Sequence, residues 1–201
     1  MSIQDRTLAW SAAEADFEAT QRDDLVQLGV WIFLATVVML FAAFASAYIV
    51  RRSASDWVPV ELPRILWANT AVLLASSAAL ELARRASQSR RTAARYGVAT
   101  AAILGFVFLG GQVTAWRDLA SHGAYLPTSP HGSFVYVLTG AHGMHVLAGL
   151  ALLICAAARM WMPSSASSSG ASSARLLNAS ATFWHFLAAL WLFVFLFIAV
   201  V

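Results

Sequence analysis

The sequence has few charged residues and a single cysteine, and both scarcities limit what the protein can be. Only 11% of its 201 residues are charged and 60% are hydrophobic, whereas ordinary soluble domains are about 25% charged. This excess of apolar residues is too large for one soluble core, so a lipid bilayer is the expected solvent. One cysteine, Cys155, cannot supply a disulfide scaffold, a dithiolate copper centre or an iron–sulfur cluster.

Five apolar stretches are long enough to cross a membrane as helices, which takes about 20 residues each. They lie at about 26–50, 64–83, 96–117, 133–158 and 177–201. Residues 1–24 hold six of the ten acids and lack the basic start and small-residue cleavage site of a signal peptide. The sequence therefore predicts an all-α integral membrane protein, with a polar, acidic N-terminal arm over 1–24 and a bundle of five transmembrane helices over 25–201.

The arginines indicate how this bundle is oriented, because cytoplasmic loops carry more basic residues than external ones. One set of alternate loops and termini holds nine arginines, and the other set holds four. We therefore expect the N-terminus in the cytoplasm, and five spans then place the C-terminus outside. The arginines flank apolar segments without forming a contiguous basic face, so no nucleic-acid partner is expected.

No acidic residue lies in the middle of a predicted span, whereas proton pumps and ion-coupled transporters place Asp or Glu there. Glu81 is the nearest candidate, and Arg84 and Arg85 follow it on the same helical face. A local ion pair is therefore its expected role. A small multi-span carrier is an alternative that the missing acids disfavour.

Three histidines, His142, His145 and His185, lie within predicted spans. Helical rise places His145 and His185 at a similar depth, about 12 Å from the cytoplasmic side. They could ligate a haem iron, as in a b-type cytochrome, or they could hydrogen-bond between helices. No cysteine or carboxylate is at hand to complete a typical metal shell, so the sequence predicts no metal site in this chain.

Glycine residues and Gln112 also lie within the predicted spans. Gly140, Gly143 and Gly149 in the fourth span would let another helix approach closely. Gln112, in the middle of the third span, needs a hydrogen-bond partner from another helix or from a neighbouring chain. We predict that Gln112 and the three histidines form a structural polar cluster.

A basic pair and a tryptophan follow the first span. Arg51 and Arg52 stand at its end, and Trp57 lies a few residues later. Lipid phosphate binding and plain interfacial anchoring are equally open interpretations of these residues.

The segment FVYVLTGAHGMHVLAGL, at 134–150, resembles the signature of subunit III of the haem–copper oxidases. That family carries Thr-Gly-x-His-Gly-x-His and then a nearby Gly, which are here Thr139, Gly140, His142, Gly143, His145 and Gly149. Similar segments follow in the family's order, namely WIFLATVVMLFAAFASAY at 31–48, Asn69-Thr70, Gln112 with Trp116, and Phe183-Trp184-His185-Phe186. The resemblance covers nearly everything from Gly29 onward, and the length fits the short five-helix bacterial form.

Two positions depart from the family's pattern. The family usually has Glu in the first common helix, where this chain has Val37. It usually has Asp shortly after the Trp-His of the last helix, where this chain has Ala188. This chain therefore lacks the carboxylates on which some of the family's roles would rest, and their absence removes the cost of burying charge.

The resemblance implies a non-catalytic accessory subunit of a haem–copper terminal oxidase in the bacterial inner membrane. Haem and copper would lie in partner chains, the catalytic subunit I and subunit II, with no catalytic residue and no cofactor in this one. The complex would reduce dioxygen with electrons from cytochrome c or quinol and conserve the energy as proton motive force. This chain would hold phospholipid in a cleft and support oxygen access and proton uptake.

Two alternatives remain open within the redox class. The same fold could serve as a subunit III-like component of a quinol oxidase or of a nitric oxide reductase. The chain could also be a b-type cytochrome, with His145 and His185 as axial haem ligands.

Overall fold

The structure is a computed structural model that describes residues 3–55, 57, 62–87, 89–121, 130–161 and 168–200. The residues in these ranges form five α-helices and no strand. They are α1 (Ile3–Arg52), α2 (Ile65–Ala86), α3 (Arg91–Ser121), α4 (Pro130–Trp161) and α5 (Ser168–Val200). The predicted all-α fold class is confirmed.

Each helix contains a segment that is long and apolar enough to cross a membrane, so the five-span prediction is also confirmed. The segments are Gln27–Arg52, Ile65–Ala86, Arg91–Ser121, Pro130–Trp161 and Ala174–Val200. Several exceed the predicted apolar stretches by a few residues, because polar residues at a membrane interface can continue a helix. The chain is therefore a multi-pass membrane protein.

The chain divides into two compact units, Met1–Val38 and Met39–Val201. In the first unit the described residues belong to α1, and most of the side chains that can be assessed there are exposed. Because α1 runs through residue 24, the boundary between a solvated arm and the transmembrane domain stays a prediction.

In the second unit, helices α2 to α5 pack in a ring: α2 contacts α3 and α5, and α4 contacts the same two helices. Side-chain pairs show that α2 and α5 are antiparallel. Trp67 meets Phe195 near one end of the interface, and Ser77 meets His185 nearer the other. A step of ten residues forward on α2 thus matches ten residues backward on α5.

Large aromatic side chains fill the centre of the ring, and glycines make room for them. Trp184, Trp191 and Phe108 are almost completely buried. Gly105 of α3 and Gly149 of α4 both face Trp184, since a Cβ atom at either position would come within 3.0 Å of the indole. In lipid, where apolar burial drives little helix association, such close packing and interhelical hydrogen bonds hold the bundle together.

Candidate functional site

The predicted need of Gln112 for a partner is met across a helix interface. Asn69 of α2 donates through Nδ2 to the carbonyl oxygen of Phe108 at 3.0 Å and to Oε1 of Gln112 at 3.3 Å. Both amide side chains are buried. Gly111 makes this contact possible, because a Cβ atom there would overlap Oδ1 of Asn69. The partner of Gln112 is thus in this chain.

Two tryptophans of α5 hydrogen-bond to hydroxyl groups of α2. Nε1 of Trp184 donates to Oγ of Ser76 at 3.1 Å, and Nε1 of Trp191 donates to Oγ1 of Thr70 at 2.9 Å. Ser76 in turn donates to the carbonyl oxygen of Ala101 in α3 at 2.7 Å. Sequence reasoning missed these bonds. Two features could have predicted them. Each buried indole N–H needs a hydrogen-bond acceptor, and α2 carries hydroxyl groups at a spacing that matches the spacing of the tryptophans on α5.

His142 lies at the centre of the bundle with 0% of its surface exposed. Its ring centroid is 5.0 Å from that of Trp191 and 5.9 Å from that of Phe108. Neither ring nitrogen hydrogen-bonds to another group in the described part of the chain. Within this chain His142 therefore packs as an aromatic ring.

His145 and His185 are oriented towards different partners. Nδ1 of His145 lies 2.7 Å from the carbonyl oxygen of Ala141 on its own helix, and its ring meets Phe41 of α1 edge-on. Nδ1 of His185 lies 2.6 Å from Oγ of Ser77 on α2. Although α4 and α5 are neighbours, these contacts do not bring the two imidazoles together.

The register of α4 against α5 explains why His145 and His185 do not meet, although a similar depth in the membrane was expected for both. Gly149 of α4 faces Trp184, which directly precedes His185 on α5. His185 therefore lies opposite a point on α4 about one helical turn after His145. Among the residues that the structure describes, no group of three or more His, Cys, Asp or Glu side chains could hold a metal ion.

Glu81 forms the local ion pair that its sequence neighbours predicted. Arg84 donates to both of its carboxylate oxygens, through Nε and Nη2, at 2.8 Å each. Nε of Arg85 donates to Oε1 at 2.8 Å. Nε2 of His185 lies 3.4 Å from Oε2 of the same carboxylate. The Glu81 carboxylate thus lies beside α5, although Nε2 of His185 makes no hydrogen bond within the described residues.

Trp57 belongs to an aromatic cluster near the start of α4. Its indole stacks on His131 with ring centroids 5.0 Å apart and an interplanar angle of 26°. Tyr48 lies edge-on to Trp57 at 5.1 Å, and its hydroxyl is 3.3 Å from Nε2 of His131. Trp57 therefore packs on protein side chains, whereas Arg51 and Arg52 occupy the last turn of α1. No pattern in the sequence pointed to His131.

The three glycines of the fourth span differ in their surroundings. A Cβ atom at Gly149 would lie 2.9 Å from the Trp184 ring and 3.2 Å from Leu187. At Gly140 it would make ordinary contact with Trp116 at 3.8 Å, and at Gly143 it would meet nothing within 4 Å. Of these three glycines, Gly149 is the one at which close helix packing leaves no room for a larger residue.

Val37 and Ala188, the two positions described above as departures from the resembled pattern, are both buried. A carboxylate at either position would lose solvent contact, which is costly in a membrane protein.

Comparisons with known proteins agree with this architecture. The family model for cytochrome c oxidase subunit III matches residues 11–200. "Probable cytochrome c oxidase subunit 3" of Mycobacterium tuberculosis is 28% identical over 192 residues, 92% of each chain. "Cytochrome bo(3) ubiquinol oxidase subunit 3" of Pseudomonas aeruginosa is 31% identical, over 83% of this chain and 80% of the relative. "Cytochrome c oxidase subunit 3" of Synechocystis is 30% identical, over 86% of this chain and 74% of the relative.

Proposed function

Because the chain belongs to the subunit III family of haem–copper oxidases, we propose that it is the non-catalytic accessory subunit of a bacterial terminal oxidase. It would lie in the inner membrane with its N-terminus in the cytoplasm, as the distribution of arginines favours. Its relatives are subunits of respiratory oxidase complexes, and their matches span most of this chain.

One observation supports the accessory role most directly: several deep polar side chains hydrogen-bond from one helix to another. Asn69 bonds to Gln112, Trp184 to Ser76, and His185 to Ser77, so α2 is tied to α3 and α5. A bundle in which these polar groups bind one another is suited to packing beside a catalytic subunit rather than to carrying electrons itself.

In this proposal the redox centres belong to partner chains. Subunit I would hold haem and copper, and subunit II would complete the complex that reduces dioxygen. The donor could be cytochrome c or quinol, since the relatives include a cytochrome c oxidase subunit and a ubiquinol oxidase subunit. A component of a nitric oxide reductase is the nearest alternative.

The proposed contribution of this chain is to keep the catalytic subunit stable, with lipid bound beside it and with oxygen access and proton uptake maintained. Arg51 and Arg52 are candidates for lipid phosphate contacts, because two cations end the first span at the membrane interface. Trp57 would support that end of the helix through its stack on His131.

Co-purification tests the proposal. A tagged form of the chain, extracted in mild detergent, should carry a haem-containing catalytic subunit that mass spectrometry identifies. Removal of the chain should leave oxygen reduction measurable but shorten the active life of the enzyme. Immediate and complete loss of activity with an intact catalytic subunit would contradict an accessory role. A Soret band from the chain alone, lost in His145→Ala or His185→Ala, would instead establish a b-type cytochrome.

A further inference from the structure

A cavity of about 380 Å³ opens where α2 ends and α5 begins. It is lined by Arg84, Arg85, Ser87, Ala174 and Asn178, and we name it the α2–α5 pocket. We propose that the α2–α5 pocket binds a phosphate group at the membrane surface, and that its source is the headgroup of an anionic phospholipid. The site lies apart from Arg51, Arg52 and Trp57, and the accessory role proposed above does not require it.

Hydrogen bonds to Glu81 hold the two guanidinium groups of the pocket in place, and several of their N–H donors are not used by these bonds. Glu81 accepts from Nε and Nη2 of Arg84 and from Nε of Arg85. Within the described residues these two guanidinium groups make no further hydrogen bonds, so Nη1 of Arg84 and both Nη atoms of Arg85 remain as donors. Planar guanidinium groups bind phosphate oxygens through paired N–H donors. The carboxylate neutralises one of the two cations and leaves one net positive charge.

The charge of the surrounding segments favours an anion. Seven arginines and one acid lie in the stretches 81–95 and 159–175, which adjoin this end of the bundle. Asn178 adds an amide N–H donor on the α5 side of the pocket. The hydroxyl of Ser87 already donates to the carbonyl oxygen of Arg84 at 2.6 Å, so Ser87 contributes to the wall of the pocket. Basic pockets between transmembrane helices are typical sites for anionic headgroups.

An exposed apolar face leads from the pocket towards the middle of the membrane, which favours a lipid over a soluble anion. Leu74, Ala78, Leu82 and Arg85 follow one another at helical spacing along α2. Leu82 is 67% exposed and Leu74 is 41% exposed. These residues span about 16 Å of helix. An acyl chain could lie along this face while its phosphate contacts Arg85, whose side chain is 74% exposed.

The test compares the unchanged full chain with Arg85→Gln and Arg90→Gln, each purified together with any oxidase subunits that accompany it. Arg90 is exposed, belongs to the same end of the bundle and does not line the pocket. Both substitutions remove one positive charge, so they change the general attraction to anionic lipid equally. Native mass spectrometry then measures how much phosphatidylglycerol and phosphatidylcholine each form retains from micelles that contain both.

We expect preferential retention of phosphatidylglycerol, lowered about fivefold by Arg85→Gln and less than about twofold by Arg90→Gln. Arg85→Lys keeps the charge but loses the planar guanidinium group, so it should give an intermediate loss of phosphatidylglycerol retention. It replaces Arg85→Gln in the comparison if that variant does not fold. Equal retention of the two lipids, or equal losses from the Arg85 and Arg90 substitutions, would overturn the proposal.

A calorimetric titration with inorganic phosphate in zwitterionic micelles identifies the source of the phosphate group. Absence of binding by inorganic phosphate, together with retained phosphatidylglycerol, supports the lipid headgroup. Binding of inorganic phosphate that Arg85→Gln abolishes, without preference for phosphatidylglycerol, would keep the phosphate site but overturn the lipid assignment.

Discussion

The indole nitrogen of Trp184 on α5 donates to the hydroxyl oxygen of Ser76 on α2 at 3.1 Å, while the same hydroxyl donates to Ala101 of α3. One small side chain thus joins three helices at the centre of the ring. Because water does not reach this depth, loss of the hydroxyl leaves two buried groups without their partner.

Ser76→Ala should therefore lower the free energy of unfolding by about 1–2 kcal/mol. Unfolding of the full chain in mixed detergent micelles, followed by circular dichroism, measures the change. Thr114→Ala is the matched control, since Thr114 is exposed and its hydroxyl bonds only within its own helix, to Gly111. Equal losses of unfolding free energy from Ser76→Ala and Thr114→Ala would contradict the role of Ser76 in joining three helices.

Gly149→Ala and Gly143→Ala should differ although both lie in the same span. A Cβ atom at Gly149 would lie 2.9 Å from the Trp184 ring, whereas at Gly143 it would meet nothing within 4 Å. We expect Gly149→Ala to destabilise the chain by about 1–3 kcal/mol through overpacking. Gly143→Ala should be neutral or stabilising by up to about 1 kcal/mol, because Ala is the better helix former. Similar melting temperatures for the two variants in detergent would show that the packing of Trp184 does not depend on Gly149.

His142 and His185 should respond differently to replacement by phenylalanine. The imidazole of His142 packs at a tilt against Trp191 and makes no hydrogen bond within the described residues, so His142→Phe should change stability by less than about 1 kcal/mol. His185→Phe removes the bond to Ser77 and should cost about 1–2 kcal/mol. Unfolding midpoints of the two variants provide the comparison. A larger loss from His142→Phe than from His185→Phe would mean that the His142 nitrogens have a polar role.

Asn69 and Gln112 should show energetic coupling in a double-mutant cycle. Asn69→Leu leaves Gln112 without its partner, and Gln112→Leu removes one acceptor of Asn69. We expect the double variant to be less destabilised than the two single variants added together, by about 0.5–1.5 kcal/mol. The same unfolding measurement on all four forms gives the coupling energy. Strict additivity would show that the two amides act independently.

The sequence by itself determined the class of the protein, the number of its spans and the family to which it belongs. Long apolar stretches must become helices in a bilayer, because only a helix satisfies its own backbone hydrogen bonds within one segment. The ion pair of Glu81 was also predictable, since residues three and four apart on a helix always share a face.

The tertiary structure decided which polar side chains meet. Similar depth suggested that His145 and His185 could face each other, yet His185 contacts Ser77 and His145 contacts Ala141. Rotation of each helix about its axis and the register between neighbours set these contacts. Both depend on the packing of many side chains at once, such as Trp184 between two glycines. A helical period specifies which residues share a face, but it does not specify which helix that face will meet.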